Sequence, residues 1–200
     1  CDVCPARGPA PCLSCMSESA RLRLFFALWP DPGLGQRIWD LTRGCVRASG
    51  GRPVNRENLH LTLAFLGNVD AGMLPELRAA AAELHHPGFE FTLDELSFWP
   101  RPKALVMQPS TFPDALPGLV AGIWDAMTPF SLGHGAGTYR PHVTLARKAG
   151  PVPLQPLKAQ LSWRATEFCL VSSVTDPGGA RYEPLARYHL LQPTSEAVKE

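Results

Sequence analysis

Two hundred residues with 45% hydrophobic content suffice for one domain, or two small lobes, around a real core. A formal charge of +1 excludes the strong positive field that draws a chain to duplex nucleic acid or a membrane surface, so any nucleic-acid contact should be local, to an end or a few nucleotides. No apolar run approaches the roughly 18 residues of a membrane span, and no basic segment followed by an apolar stretch marks a secretory signal, so the cytoplasm is the expected location.

The chain opens unlike the rest of itself. Cys1, Cys4, Cys12 and Cys15 form two Cys-x-x-Cys pairs among Pro, Gly and Ala. Two such pairs could hold one tetrahedral zinc as four thiolates. The spacer of seven residues between them is shorter than zinc-ribbon spacings. Residues 1–19 are therefore read as a flexible extension, with Met16 a natural start, and residues 20–200 as one domain. Leu22 to Leu28 reads as a strand. Asp31-Pro32 starts a helix, with Asp as cap and Pro in the first turn, and Leu34, Ile38, Leu41 and Cys45 follow at helical spacing. Gly50-Gly51-Arg52-Pro53 breaks it. Leu59 to Leu66 is the next strand. Asp70 opens a second helix carrying Leu74, Leu77, Ala81 and Leu84, ended by Pro87-Gly88.

Phe89 to Trp99 reads as one long strand and Ala104 to Met107 as a short one, with Pro100-Arg101-Pro102 turning between them. Leu116, Leu119, Val120, Ile123 and Met127 mark a third helix. A Gly-rich loop, Leu132 to Thr138, leads into a strand around His142. Glu167 to Val174 and Tyr182 to Leu190 read as closing strands. No helix regularly separates these strands into βαβ units, which predicts an α+β fold with largely antiparallel sheets. The order of strands and helices around residues 60 and 142 suggests two related lobes.

Two short runs carry the chemistry: His60-Leu61-Thr62-Leu63 and His142-Val143-Thr144-Leu145. Side chains alternate across a strand. His60 and Thr62 share one face, and Leu61, Leu63 and Phe65 are expected on the other. His142 and Thr144 likewise oppose Val143 and Leu145. Two such strands side by side would line a pocket with two imidazoles and two hydroxyls. These parts suit acid–base chemistry on a phosphate without a metal. Imidazole titrates near ~6.5, so one ring can take a proton from water while another gives one to a leaving oxygen. Hydroxyls can donate to nonbridging oxygens, where charge sits in the transition state. A lone strand histidine is usually structural; the repeat is what argues for function. No His/Asp/Glu cluster accompanies either histidine, so neither a metal nor a cofactor is expected.

Arg140 has the parity of His142. Arg147 has the opposite parity unless the strand ends or bulges. Both are candidates for binding phosphate, to which an arginine fork is matched. Phe26, Trp29, Phe98 and Trp99 are candidate platforms for a base, Trp99 foremost. His134 could border the cleft. His85 and His86 read as solvated surface and His189 as structural.

At these residues the chain resembles the two-histidine phosphoesterases, and among them the RNA 2′,3′-cyclic phosphodiesterases, also called 2′-5′ RNA ligases (the LigT/ThpR type). The likeness runs over about residues 21–191. It includes Leu24-Phe-Phe-Ala-Leu, Glu57-Asn58-Leu59 before the first motif and Leu66-Gly67 after it, and Arg140-Pro141 before and Ala146-Arg147 after the second. The resemblance implies a bilobal fold with helices outside and one His-x-Thr-x motif per lobe facing a central cleft. It implies hydrolysis of a terminal 2′,3′-cyclic phosphate of RNA to a 2′-phosphate, with reverse 2′-5′ ligation, by a protein expected to be monomeric. It also implies His60 as proton donor and His142 as acceptor, an order that the physics of the sequence does not assign. Two other readings stay open: a phosphodiesterase for 2′-5′ oligonucleotides or a cyclic phosphate of ADP-ribose, and a non-catalytic nucleotide-binding module.

Overall fold

The run Leu24-Phe25-Phe26-Ala27-Leu28 is buried on both faces, and a strand buried on both faces belongs inside a sheet. In a computed structural model, which describes residues 20–133, 138–153, 157, 159–176 and 179–192, it is an inner strand, β1 (Arg21–Leu28). Asp31 caps α1 (Pro32–Ala48): its carboxylate accepts from the Leu34 amide at 2.9 Å, a cap worth about 1 kcal/mol. A short β2 (Arg52–Pro53) and a 3₁₀ turn (Arg56–Asn58) lead into β3 (Leu61–Asp70) and α2 (Leu74–Ala82). Then come β4 (Phe89–Leu93), β5 (Glu95–Trp99), β6 (Ala104–Gln108), α3 (Ala115–Met127), β7 (Val143–Arg147), β8 (Leu161–Ala165), β9 (Glu167–Asp176) and β10 (Gly179–His189).

Among the described residues one sheet runs β10-β9-β1-β3-β7-β6-β5, with β2 beside β7, and a second pairs β4 with β8. Every pairing between these strands is antiparallel among the described residues. The α+β class expected from the sequence is the one observed. The two halves of the long sheet, β10-β9-β1-β3 and β7-β6-β5, meet through the pair Leu61–Val143 alone. Below it, α1 packs against β7 and β8, and α3 against β3. Leu24, Phe26, Leu61, Leu105, Ile123 and Phe168 belong to that core. The opposite face of β1 and β9 carries a small apolar patch of Phe25, Ala27, Cys169 and Val171, bordered by Trp29 and Tyr182.

Three expectations change. Phe89 to Trp99 is two strands in two sheets, not one. The chain breaks at Asp94, whose carboxylate accepts from the Ser110 amide at 2.7 Å and its hydroxyl at 2.6 Å. The strand β8 follows a Pro-rich stretch and was not read from the sequence. The second helix starts at Leu74, after a 3₁₀ turn that Asp70 caps through the Gly72 amide. No described helix is long and apolar enough to cross a membrane. Residues 1–19 lie outside the described residues, with the four cysteines of the leader.

Candidate active site

Each motif histidine stands one residue ahead of its strand. The Nδ1 of His60 lies 2.7 Å from the Asn58 carbonyl oxygen, and that of His142 lies 2.8 Å from the Arg140 carbonyl oxygen. A carbonyl oxygen only accepts, so Nδ1 carries the hydrogen in both rings and Nε2 is left as the working atom. One backbone device, a hydrogen bond to the residue two back, thus fixes both tautomers alike. The antiparallel pair Leu61–Val143 joins the motifs. Continued by one residue each way, this register sets His60 across from Thr144 and Thr62 across from His142. Tyr139 adds a tether, its hydroxyl donating to the Thr62 carbonyl at 3.1 Å.

Parity holds through the motifs: Leu61, Leu63, Val143 and Leu145 are buried, while the histidines and threonines are half-buried on the other face. It then breaks in both strands at the same place. The β1–β3 register skips Leu63 and the β6–β7 register skips Leu145, a bulge at the fourth residue of each motif. Phe65 was expected on the core face with Leu61 and Leu63. The bulge turns it to the histidine face, where it is 49% exposed. The matching bulge brings exposed Arg147 to the histidine face of β7. The fifth residue after each histidine is therefore brought to the site, as phenylalanine on one side and arginine on the other.

Three aromatic rings surround His60. Trp29 stacks on it at 5.3 Å with 12° between planes, Phe25 lies at 5.0 Å, and Tyr182 meets it edge-on at 5.0 Å. A cavity of about 210 Å³ opens there, walled by His60, Thr62, Phe65, Arg147, Ser173 and Tyr182 among others. Burial holds the His60 pKa down at about 4. The hydrogen bond to Asn58 opposes this, and the charges of Arg147 and His142 add to it. His142 is also lowered, chiefly by burial, then by Arg140 and Arg147, against the bond to the Arg140 carbonyl. Its neighbours differ: Trp99 at 4.4 Å, with the Arg140 guanidinium 4.5 Å over that indole. Arg147 bears on both imidazoles, and its Nη2 donates to the Tyr182 hydroxyl at 3.3 Å.

The residues singled out in the sequence thus form two groups. His60, Thr62 and Arg147 wall the cavity, whereas His142, Trp99 and Arg140 cluster beside β7, and Thr144 is half-buried on the histidine face of that strand. Trp29, one of the aromatic candidates, packs on His60, but Phe26 is fully buried in the core and is no platform. His85 and His189 are exposed. His134 lies outside the described residues. Sequence reading missed Arg23, which sits over Phe65 at 4.9 Å, and Tyr182 and Ser173, which arrive from β10 and β9 through long-range pairing. Among the described residues, no three His, Cys, Asp or Glu side chains gather as metal ligands would.

The class follows from the repeat. The same His-x-Thr unit is set twice on neighbouring strands with both rings held by one device, and the repeat is where the resemblance to the two-histidine phosphoesterases lies. Residues 29–106 match the family described as LigT like Phosphoesterase. The RNA 2′,3′-cyclic phosphodiesterase of Escherichia coli K12 is 35% identical over 180 residues, 88% of this chain and 100% of that protein. That of Thermus thermophilus is 29% identical over 185 residues, 84% of this chain and 90% of the relative. Among solved structures, E. coli LigT complexed with 3′-AMP superimposes with a TM-score of 0.80 at 33% identity, covering 86% of this chain and 100% of that one. The chain belongs to the LigT-like phosphoesterase family.

Proposed function

We propose that this protein hydrolyses the 2′,3′-cyclic phosphodiester at the end of an RNA strand to a 2′-phosphomonoester, without a metal, with 2′-5′ ligation as the reverse reaction. The observation that carries the reading is the matched pair of Nδ1 hydrogen bonds, which leaves two Nε2 atoms for proton transfer on adjacent strands. The names of the E. coli and Thermus relatives support the substrate class. A monomer suffices, since every residue invoked belongs to one chain.

Water attacks phosphorus as its proton passes to Nε2 of His142. The bond from phosphorus to the 3′-oxygen breaks, and that oxygen takes the Nε2 proton of a charged His60. Thr62 and Thr144 donate their hydroxyl hydrogens to nonbridging oxygens, and Arg147 lies against the same charge. Trp99 serves the substrate side as the surface that carries Arg140. His60 must be charged to donate, yet its pKa is about 4 in the free protein. A phosphate anion beside it both favours the imidazolium and offsets the Arg147 charge that depresses it. Substrate thus helps to make its own acid.

The test is to incubate the protein, in chelator, with RNA ending in a 2′,3′-cyclic phosphate, with 2′-5′ oligoadenylate and with a cyclic phosphate of ADP-ribose. Conversion of the first to a 2′-phosphate is expected. Turnover of one of the others alone would reassign the substrate, and turnover of none would leave a binding module.

A further inference from the structure

Behind Arg147 lies a second cavity, of about 240 Å³, that the reaction above does not use. It shares Arg147 and Tyr182 with the His60 cavity as a common wall, and is otherwise lined by Arg52, Lys148, Asn55 and Asn58 among others. Its charged lining is three cations, with no carboxylate. The contrast with a cavity of about 690 Å³ beside Trp29 is direct: there Arg56, Arg164 and Arg187 are matched by Asp31, Glu57 and Glu167. Arg52 and Arg147 are cross-strand partners on β2 and β7. Like charges set opposite one another on antiparallel strands destabilise the sheet unless something of opposite sign joins them.

The backbone there is built closely. The Val54 amide donates to the Leu145 carbonyl at 2.8 Å, and the Gly150 amide to the Ser49 carbonyl at 2.8 Å. A Cβ on Gly51 would come within 2.9 Å of both the Ala149 Cα and the Arg147 carbonyl oxygen, so only glycine lets the two segments lie this close. Lys148 holds a left-handed φ of 54°, uncommon for a lysine. The Asn58 side-chain amide donates to the Ala180 carbonyl at 3.0 Å, fixing the wall of the cavity with the residue whose carbonyl orients His60. Cations gathered on so fixed a frame, one wall away from the His60 cavity, suit a second phosphate of the same strand.

We infer that this cavity binds the phosphodiester one nucleotide upstream of the cyclic end, through Arg52 and Lys148 with Arg147 between the two phosphates. The inference rests on the proposed function for the identity of the strand, and it makes the preferred substrate an oligonucleotide rather than a mononucleotide. The probes are a nucleoside 2′-phosphate and the same nucleoside as its 2′,5′-bisphosphate, whose 5′-phosphate is the smallest stand-in for the upstream phosphodiester. Affinities are measured by calorimetry for the wild type and for the double variant Arg52→Ala, Lys148→Asn, the asparagine chosen because it tolerates a left-handed backbone. The added phosphate should tighten wild-type binding about tenfold or more, as charge-assisted hydrogen bonds do, and the gain should vanish in the double variant. Hydrolysis of a nucleoside 2′,3′-cyclic phosphate by that variant should stay within about twofold of wild type. Equal affinity of the wild type for both probes, binding of neither, or a gain that survives in the double variant overturns the inference. Absence of hydrolysis by the wild type would overturn the proposed function instead, while the affinity ratio would still decide the cavity.

Discussion

The two motif sites are copies in backbone and opposites in surroundings. At each, a histidine donates Nδ1–H to the carbonyl two residues back, a threonine follows, and a bulge brings the fifth residue to the same face. Around His60 that frame is filled with rings, Trp29, Phe25 and Tyr182, with Phe65 on the cavity wall. Around His142 it carries Trp99 with the Arg140 guanidinium over it, while Arg147 bears on both rings. Asymmetry enters this repeat through side chains rather than through the backbone. The backbone sets what both rings can do, and the second layer of side chains sets how readily each holds a proton. Burial is the largest cause at both rings; beside it the charges of Arg147 and His142 act on His60, and those of Arg140 and Arg147 on His142. Both pKa values fall, by different mixtures of the same causes.

Removing either imidazole should break the comparison outright. Under the proposed reaction His60→Ala and His142→Ala should each lower kcat by about 10²–10⁴-fold, with melting temperatures near wild type, since neither ring belongs to the main core. Thr62→Ala and Thr144→Ala should cost less, about ten- to a hundredfold each, because a hydrogen bond to a charged oxygen is lost while the other hydroxyl and Arg147 remain. Steady-state kinetics on one cyclic substrate ranks all four.

Two further variants sharpen the contrast. Trp29→Leu opens one face of His60 to water and should raise its pKa from about 4 toward the ordinary histidine value, moving His142 little. Trp99→Leu should do the reverse. Titration of the ring protons by NMR reads each histidine separately. In the free protein kcat/KM should be bell-shaped in pH, with both limbs below the ordinary histidine value of ~6.5. Those two values belong to the coupled pair rather than to either ring.

The smallest effect is on stability. A histidine whose folded pKa is depressed binds fewer protons folded than unfolded, so His60 stabilises the fold fully above pH ~6.5 and progressively less as pH falls toward about 4. Denaturant midpoints at pH 7 and pH 5 should differ in that direction, and the difference should shrink in His60→Ala.

Much of this contrast was readable in the chain. Alternation alone put His60 with Thr62 and His142 with Thr144, and Asp31-Pro32 placed the start of α1. The bulges were not readable. Nothing local in Leu63-Ala64-Phe65 or Leu145-Ala146-Arg147 announces a skipped residue; the register is imposed by β1 and β6 across the sheet. Phe65 was therefore assigned to the wrong face, and Arg147 could be placed there only on condition of a bulge. Tyr182, Ser173 and Arg23 were missed because each reaches the cavity through strand pairing distant in sequence. The break at Asp94 was hidden because apolar residues continue on both sides of it, and only the hydrogen bonds from Ser110 explain the turn.

Under the proposed reaction two imidazoles open a cyclic phosphate without a metal. Phosphorus NMR of a short RNA ending in a 2′,3′-cyclic phosphate, followed in chelator with wild type, His60→Ala and His142→Ala side by side, tests it most directly. A 2′-phosphomonoester is expected from the wild type alone. Undiminished product from either histidine variant, or wild-type activity that disappears in chelator and returns with a divalent ion, would contradict it.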